Sequence, residues 1–346
     1  MRTIPILALT LLLSGLSAQE TAKGIFDKLT AAQKELVPQG QRPDRAKLDA
    51  FQQTVKDTLA ANTAVLGEGE GVYYRARLEL MARDMEAATA SFKSYVVKQP
   101  DADLAHEARL MVAQLTQGED KAGAREMIAA IKADKLSEPS KKSLEAMQKS
   151  FKAEDTRTAL TGQDAPSIPA EKVLNGAADW SLAGSKGKVV VVDFWATWCP
   201  PCRGIIPDLV KMQEKHAAEG LQIVGVTRYY GSGMDFTEGD QLPHGGKSVG
   251  GRKGSGKEMA QEEEIKVNEN FIKAFKLNYP VVFTGENVAG DSFGVTGIPT
   301  CYVIGRDGKI VGHIVGGGEA NHAKLESMIA SALGTGAAEA SGHKKD

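Results

Sequence analysis

Cysteine and aromatic residues are scarce in this chain: it has three cysteines among 346 residues, and Phe, Trp and Tyr together make up 6%. So few cysteines exclude a scaffold held together by several disulfides, so the core must form by burial of apolar side chains. A formal net charge of −2 gives no electrostatic reason to expect nucleic-acid binding. Beyond the first residues, no apolar run is a candidate membrane segment. The chain is long enough for two domains.

The N-terminus has the three parts of a secretory signal peptide. Arg2 precedes an apolar run over residues 4–16, and the small residues Ser17 and Ala18 follow. This run is shorter than the roughly 20 apolar residues of a spanning helix, and no cysteine for lipid attachment follows it. We therefore expect residues 1–18 to be removed near Ala18 and the protein to be exported and soluble. An uncleaved N-terminal anchor is the alternative.

Residues 20–155 have a helical pattern throughout, rich in Ala, Leu, Glu, Lys and Gln. We predict an all-α domain of helical hairpins, with residues 72–83 and 85–98 as one pair. Part of it is spaced like the second helix of a tetratricopeptide repeat, at Ala88, Phe92 and Pro100. A plain helical bundle is the alternative. Both predict a surface for partner docking or homodimer formation, and neither contains a catalytic constellation.

The helical pattern breaks before the second half of the chain. The last helix of the first half is predicted over residues 143–152, and Gly162, Pro166 and Pro169 interrupt the linker that follows it. Strand and helix patterns then extend over residues 163–333. A glycine-rich, charged insertion at 230–261 is expected to lie on the surface, or else to fold over the site and select partners. Residues 334–346 are predicted to be a disordered tail.

Two cysteines follow a run of valines in residues 189–202. The valines precede Asp193 and two aromatic residues, a pattern typical of a strand buried on both faces. Apolar residues recur at helical intervals after Cys202, so Cys199 and Cys202 lie where a strand gives way to a helix N-terminus. Unpaired N–H groups and the helix dipole favour a thiolate there. Cysteines at this spacing can also close a disulfide, which predicts redox chemistry.

Other interpretations of the cysteine pair fit less well. A zinc site would need two further ligands, and His216 and Cys301 are isolated candidates without ligand spacing. A purely structural disulfide is compatible with an exported protein, but it does not account for the position between strand and helix. We therefore predict no metal and no cofactor.

The sequence FWATWCPPC, residues 194–202, resembles the active-site segment of the thioredoxin superfamily, and it is most similar to TlpA/ResA-like thiol–disulfide oxidoreductases. Pro207 matches the proline that kinks the family's first helix, and residues 298–300 match its cis-proline loop. The resemblance covers residues 163–333. It implies an α/β, thioredoxin-like three-layer C-terminal domain after the all-α helical-hairpin domain, with a small hairpin at 173–182 before the central strand.

The resemblance also implies a function. A periplasmic or secreted protein would exchange disulfides with protein partners, more often as a reductant that a membrane thiol carrier keeps reduced. Cys199, the more N-terminal thiol, would be the nucleophile, and Cys202 would resolve the mixed disulfide. Asp193 would be the buried acid that moves a proton, although capping of the next turn is an alternative for it. The residues expected beside the substrate are Trp198, Pro200, Pro201, Ile298 and Pro299. Some cytochrome-maturation members carry a glutamate where this chain has Ile205, which argues against that subclass.

Two functions from other classes are alternatives. A peroxiredoxin-like thiol peroxidase would carry its cysteine in a threonine-containing loop, which WCPPC does not match. A helical partner-binding protein with an accessory redox domain is the other alternative, but intact Cys199, Cys202, Asp193 and Pro299 argue against a decayed site. Cys301 is expected to be a small buried residue on a strand, with a regulatory thiol as its alternative.

Overall fold

The computed structural model describes residues 20–36, 44–237, 239–251, 254–286 and 288–335. The predicted signal peptide lies outside these ranges, as does the predicted tail beyond its first two residues. The chain divides into two compact units, one ending at Gln148 and the other beginning at Lys149. Within the described ranges, every helix is too short or too polar to cross a membrane.

The first unit is helical, as predicted. Four consecutive helices over residues 71–129 each pack against the next one along the chain. The ring of Tyr73 contacts those of Phe92 and Tyr95, with centroids 5.7 and 5.8 Å apart. The side chain of Asp84 caps the helix that begins at Met85 by accepting a hydrogen bond from the Ala87 N–H at 3.0 Å. The helices are α1 (Ala22–Leu36), α2 (Arg45–Ala61), α3 (Thr63–Gly67), α4 (Gly71–Met81), α5 (Met85–Lys98), α6 (Asp103–Thr116), α7 (Lys121–Ala129) and α8 (Glu138–Leu160), the last of which continues into the second unit.

The second unit contains a six-stranded mixed sheet with the strand order β1-β6-β3-β2-β7-β8. Its strands are β1 (Lys172–Leu174), β2 (Val189–Phe194), β3 (Leu221–Thr227), β6 (Val281–Phe283), β7 (Thr300–Ile304) and β8 (Ile310–Val315). Strands β2, β3 and β6 are parallel, whereas β1, β7 and β8 run antiparallel to their neighbours. All six residues of β2 are buried, as its valine run predicts. The predicted thioredoxin-like α/β fold is confirmed.

Apolar clusters cover both faces of this sheet. On one face Val189 and Val191 pack with apolar residues of α9 (Pro200–His216), α10 (Gln261–Phe275) and α11 (Glu319–Leu333). On the other face Val190 and Val192 pack with Phe293 and other buried residues. Alternate residues of one strand therefore serve two cores, because successive side chains point to opposite faces.

Two local predictions are wrong, one in each half of the chain. The hairpin at 173–182 does not form: β1 pairs with β6, and the chain turns at Asn175, whose φ is 55°. The Asn175 side-chain amide fixes this turn by donating to the Leu277 and Tyr279 carbonyls at 2.8 and 2.9 Å. The last helix of the first half, predicted to end at residue 152, continues to Leu160, two residues before the first glycine that can break it.

The insertion has regular structure and a buried anchor. Strands β4 (Ser232–Asp235) and β5 (Lys247–Gly250) form an antiparallel ribbon. The Phe236 ring, 2% exposed, packs edge-on against Phe271 and Phe275 of α10 with centroids 5.4 and 5.1 Å apart. The stretch therefore contributes to the core and is more than a surface loop.

Candidate active site

The two cysteines lie at the junction of β2 and α9. Cys199 is the N-cap residue of α9, and its Sγ accepts a hydrogen bond from the Cys202 N–H at 3.2 Å. Pro200 and Pro201 follow as the first two helical residues. Proline is tolerated there because the N–H groups of the first turn have no partner within the helix. The two sulfur atoms form a disulfide of 2.05 Å. Cys199 is 2% exposed and Cys202 is fully buried, so Cys199 is the more accessible of the pair.

The loop before β7 reaches this disulfide, although it lies about a hundred residues further along the chain. The Ile298 carbonyl oxygen is 3.7 Å from Cys199 Sγ, and the Ile298–Pro299 peptide bond is cis. The Thr300 hydroxyl holds the loop by donating to the Gly297 carbonyl at 2.8 Å. A backbone acceptor therefore lies beside the sulfur atom that is the predicted nucleophile.

Trp198 directly precedes Cys199 and lies at the surface. Its side chain is 37% exposed, and its ring meets that of Tyr230 edge-on with centroids 5.1 Å apart. The preceding Trp195 is buried instead and packs on Phe271 with centroids 4.8 Å apart. The structure thus places one tryptophan in the core and one at the surface beside Cys199.

Asp193 lies in the buried strand before the cysteines. It is 1% exposed and pairs in register with Gly225 on β3 and Cys301 on β7. The Cys301 thiol donates to Asp193 Oδ1 at 3.4 Å. Burial raises the pKa of Asp193 to about 7, while the hydrogen bond from Cys301 acts in the opposite direction. This carboxyl group therefore changes protonation state near neutral pH, as a proton relay requires.

These contacts bear on the alternatives for Asp193 and Cys301. In the described ranges Asp193 Oδ2 has no hydrogen-bond partner and Oδ1 accepts from a thiol, so the carboxylate does not cap the next turn. Cys301 is fully buried on β7, as expected of a small strand residue. Burial, with the nearby Asp193 charge, raises its pKa well above the ordinary value. A protonated, enclosed thiol is unsuited to a regulatory role at the surface.

Arg203 and Thr197 connect the dithiol segment to the insertion, and sequence reasoning missed both. The buried Arg203 guanidinium donates to the Thr197 carbonyl at 3.0 Å and to the Pro243 carbonyl at 2.8 Å. The Thr197 hydroxyl accepts from the Met234 N–H at 3.0 Å. A charged residue in the first turn of a helix is usually exposed, so the sequence contains no signal for this arrangement.

A cleft of about 850 Å³ opens beside Trp198 and Ile298. All its lining residues belong to the second unit, including Lys149 and Lys152 from α8. Across the cleft, Arg228 pairs with Glu286 at 3.0 Å and lies over the Tyr230 ring at 4.6 Å from its centroid. Elsewhere in the described part of the chain, no group of three or more His, Cys, Asp or Glu side chains is arranged to hold a metal ion.

Comparison with known proteins places this geometry in a family. The family model described as Redoxin matches residues 160–329. This C-terminal half of the chain is a Redoxin domain.

Several relatives of this chain carry the name of a thiol–disulfide oxidoreductase. The chain is 29% identical over 168 residues to the thiol-disulfide oxidoreductase ResA of Bacillus subtilis (strain 168), a match that covers 49% of this chain and 71% of that protein. The protein of the same name from Bacillus anthracis is 28% identical over 149 residues, which cover 43% of this chain and 65% of that protein, less than two thirds of its length. The resemblance to this enzyme family, drawn from FWATWCPPC, is confirmed.

Solved structures of similar proteins include a thiol:disulfide interchange protein of the thioredoxin family from Chlorobium tepidum TLS. It is 30% identical, and the match covers 49% of this chain and 95% of that chain with a TM-score of 0.34. StoA from Bacillus subtilis is 22% identical over 48% of this chain and 98% of that chain, with a TM-score of 0.33.

Proposed function

We propose that this protein is an exported thiol–disulfide oxidoreductase that reduces disulfides of protein partners through Cys199 and Cys202. The observation that supports this function best is the position of the pair. Cys199 is the N-cap of α9, and its Sγ is 3.2 Å from the Cys202 N–H and 3.7 Å from the Ile298 carbonyl oxygen. An N-cap sulfur is where helix N–H groups and the helix dipole stabilise a thiolate most.

Reduction of a partner takes two exchange steps. The Cys199 thiolate attacks one sulfur of the partner's disulfide, forms a mixed disulfide and releases the other sulfur as a thiolate. The Cys202 thiolate then attacks Cys199 Sγ, closes the Cys199–Cys202 disulfide and releases the second partner thiol. Two electrons pass to the partner, so an external dithiol must reduce the enzyme again. The family resemblance points to a membrane thiol carrier as that donor.

Asp193 supplies the proton transfer that the second step needs. Cys202 must lose its proton before it attacks, and a buried carboxylate can accept that proton. A carboxyl group with a pKa of about 7 is partly ionised at neutral pH, so it can take up the proton and later release it. The Ile298 backbone and the exposed Trp198 are proposed to hold the partner chain beside Cys199, since the Ile298 carbonyl lies 3.7 Å from Cys199 Sγ and Trp198 is the preceding residue in the chain.

The first half of the chain is proposed to determine which partner protein is bound. Its described helices have an apolar core of their own, so this half can act as a module separate from the redox domain. Sedimentation of the purified protein with and without a trapped partner tests this role. A stable homodimer that binds no partner through its helices would assign the helical unit to self-association instead.

An insulin-reduction assay with dithiothreitol as donor tests the proposed reaction. The wild-type protein should accelerate reduction, and a Cys199→Ser/Cys202→Ser double variant should have only the uncatalysed rate. A peroxide-consumption assay on the same samples tests the alternative that the protein is a thiol peroxidase. Rapid peroxide turnover without insulin reduction would identify a thiol peroxidase and reject the proposed function.

A further inference from the structure

The C-terminal part of α8 is fixed to the Redoxin domain, although it precedes the segment that the family model matches. The buried Arg157 guanidinium donates to the Gly294 carbonyl. Gly294 has a φ of +61°, and a Cβ there would lie 2.5 Å from the Ala153 carbonyl oxygen, so only glycine allows this approach. After the helix, the Gly162 N–H donates to the Ile310 carbonyl at 2.8 Å. The end of α8 is therefore held as a wall of the second unit.

This wall forms one side of the cleft of about 850 Å³. Buried Phe194, Trp195 and Val226 line the cleft as apolar surface. Trp198 and Ile298 also line it, and the Ile298 carbonyl is 3.7 Å from Cys199 Sγ. Neither cysteine lines the cleft itself, so a molecule in the cleft reaches the dithiol region through Ile298, the residue whose carbonyl oxygen lies beside Cys199 Sγ.

The shape of the cleft suits an extended polypeptide. Its volume is near the upper end of ordinary ligand sites, which measure about 300–1,000 Å³. Three glycines, Gly285, Gly290 and Gly297, line it, and a Cβ at Gly297 would meet nothing within 4 Å. Backbone without side chains leaves space for a second backbone to approach, as in recognition of a peptide in strand form.

The charges in the cleft are unevenly distributed. Arg228 and Glu286 pair with each other at 3.0 Å. Lys149 and Lys152 are both exposed on α8, and in the described ranges neither forms an ion pair. Asp291 is the remaining charged residue of the lining. The charged α8 residues that line the cleft are therefore both positive, on a chain whose formal net charge is −2.

We propose that this cleft binds the polypeptide segment next to the target disulfide and that Lys149 and Lys152 select acidic residues in that segment. The proposal rests on the proposed function, because it names a substrate class for the same dithiol. It assigns the selection to two residues outside the matched range 160–329. Exposed lysines interact with carboxylates through a Coulomb attraction that salt weakens.

The test uses the full-length protein and two synthetic peptides, each with one disulfide. The peptides differ only in the three residues on one side of the first cysteine, which are Glu in one and Lys in the other. We expect the wild-type kcat/KM to be about five- to tenfold higher for the Glu peptide at low salt, because two exposed ion pairs contribute modestly. This preference should shrink as the salt concentration rises.

Charge-reversal variants assign the preference to α8. The Lys149→Glu/Lys152→Glu variant should have the higher kcat/KM for the Lys peptide. The Lys149→Gln/Lys152→Gln variant, which should perturb folding less, should have equal kcat/KM for the two peptides. The control is Lys186→Glu/Lys188→Glu, because these lysines line a different hollow of about 350 Å³ and the change in net charge is the same. The control should keep the wild-type preference.

The outcomes separate the two proposals. A wild-type protein that reduces both peptides at equal rates, or variants at Lys149 and Lys152 that keep the wild-type preference, would overturn the acidic-segment proposal alone. A wild-type protein that reduces neither peptide would contradict the proposed function itself.

Discussion

The β2–α9 junction and the insertion at 230–261 differ in every sequence property, yet they form one structure around Arg203. The junction has buried valines, two cysteines and two prolines within 14 residues, and its chemistry depends on near neighbours in the chain. The insertion is rich in glycine and charge, and its contribution depends on contacts with Thr197, Arg203 and Phe271. A motif thus predicts the reacting atoms, whereas the support around them comes from distant segments.

The largest effect should come from the cysteines of the junction. Cys199→Ser should abolish disulfide exchange, because it removes the nucleophile, while Cys202→Ser should accumulate mixed disulfides because nothing resolves them. Mass spectrometry of trapped species in a Cys301→Ala background should find the partner on Cys199. Partners trapped on Cys202 in the Cys199→Ser variant would reverse the assigned roles.

Phe236→Ala tests whether the insertion belongs to the core. Removal of a fully enclosed ring should lower the free energy of unfolding by about 3–5 kcal/mol, since the cavity adds to the lost burial. Leu242→Ala is the control within the same insertion, because Leu242 is 45% exposed and should change stability by less than about 0.5 kcal/mol. Urea unfolding of the oxidised proteins measures both. Equally small effects of the two substitutions would show that Phe236 does not contribute to the core.

Asp193→Asn tests the electrostatic cost of the buried acid. Its pKa rises from 3.8 to about 7 on burial, so the folded state binds more protons than the unfolded state between these values. The stability of the wild-type protein should therefore fall as pH rises from about 4 to about 7. Asparagine cannot ionise, so at pH 8 the variant should be the more stable by on the order of 4 kcal/mol. Parallel stability curves from pH 4 to pH 8 would contradict this expectation.

The same substitution tests the relay. If Asp193 accepts the proton of Cys202, the asparagine variant should resolve the mixed disulfide more slowly near neutral pH while the first attack changes little. Stopped-flow measurement of the two steps separates them. A purely structural Asp193 would leave both rates unchanged across pH.

Cys301 should have the smallest effect, through its hydrogen bond to Asp193. Cys301→Ala removes the donor that stabilises the carboxylate, so the pKa of Asp193 should rise by roughly half a unit to one unit. Cys301→Ser keeps a donor and is the matched control. Carboxyl carbon NMR titration measures the shift, and identical titration curves for the alanine and wild-type proteins would contradict it.

Sequence reasoning was accurate where local pattern determines structure. Burial of β2 and the family of the C-terminal half follow from residues 189–202, and the next helix follows from the apolar spacing after Cys202. It failed at the Asn175 turn, because that turn depends on carbonyls a hundred residues away. It also ended α8 too early, since nothing in the local pattern shows that Arg157 reaches the Gly294 carbonyl.

Within the site, the sequence predicted candidate reacting residues and missed those that hold them. Ile298 lies beside Cys199 and shares a cleft with Trp198. The hydrogen bond between Cys301 and Asp193 depends on strand register, which the sequence of either strand alone does not determine. The buried Arg203 was missed because its two acceptors are main-chain carbonyls, which have no side-chain signature.

The central claim is that Cys199 and Cys202 form a reversible redox couple, and a redox titration tests it most directly. The protein is equilibrated in buffers of graded dithiothreitol or glutathione ratio, alkylated, and its reduced fraction is measured by mass spectrometry. We expect a two-electron transition with a midpoint between about −270 and −120 mV, the span of thioredoxin-like oxidoreductases. A pair that stays oxidised below about −300 mV, as structural disulfides do, would contradict the claim.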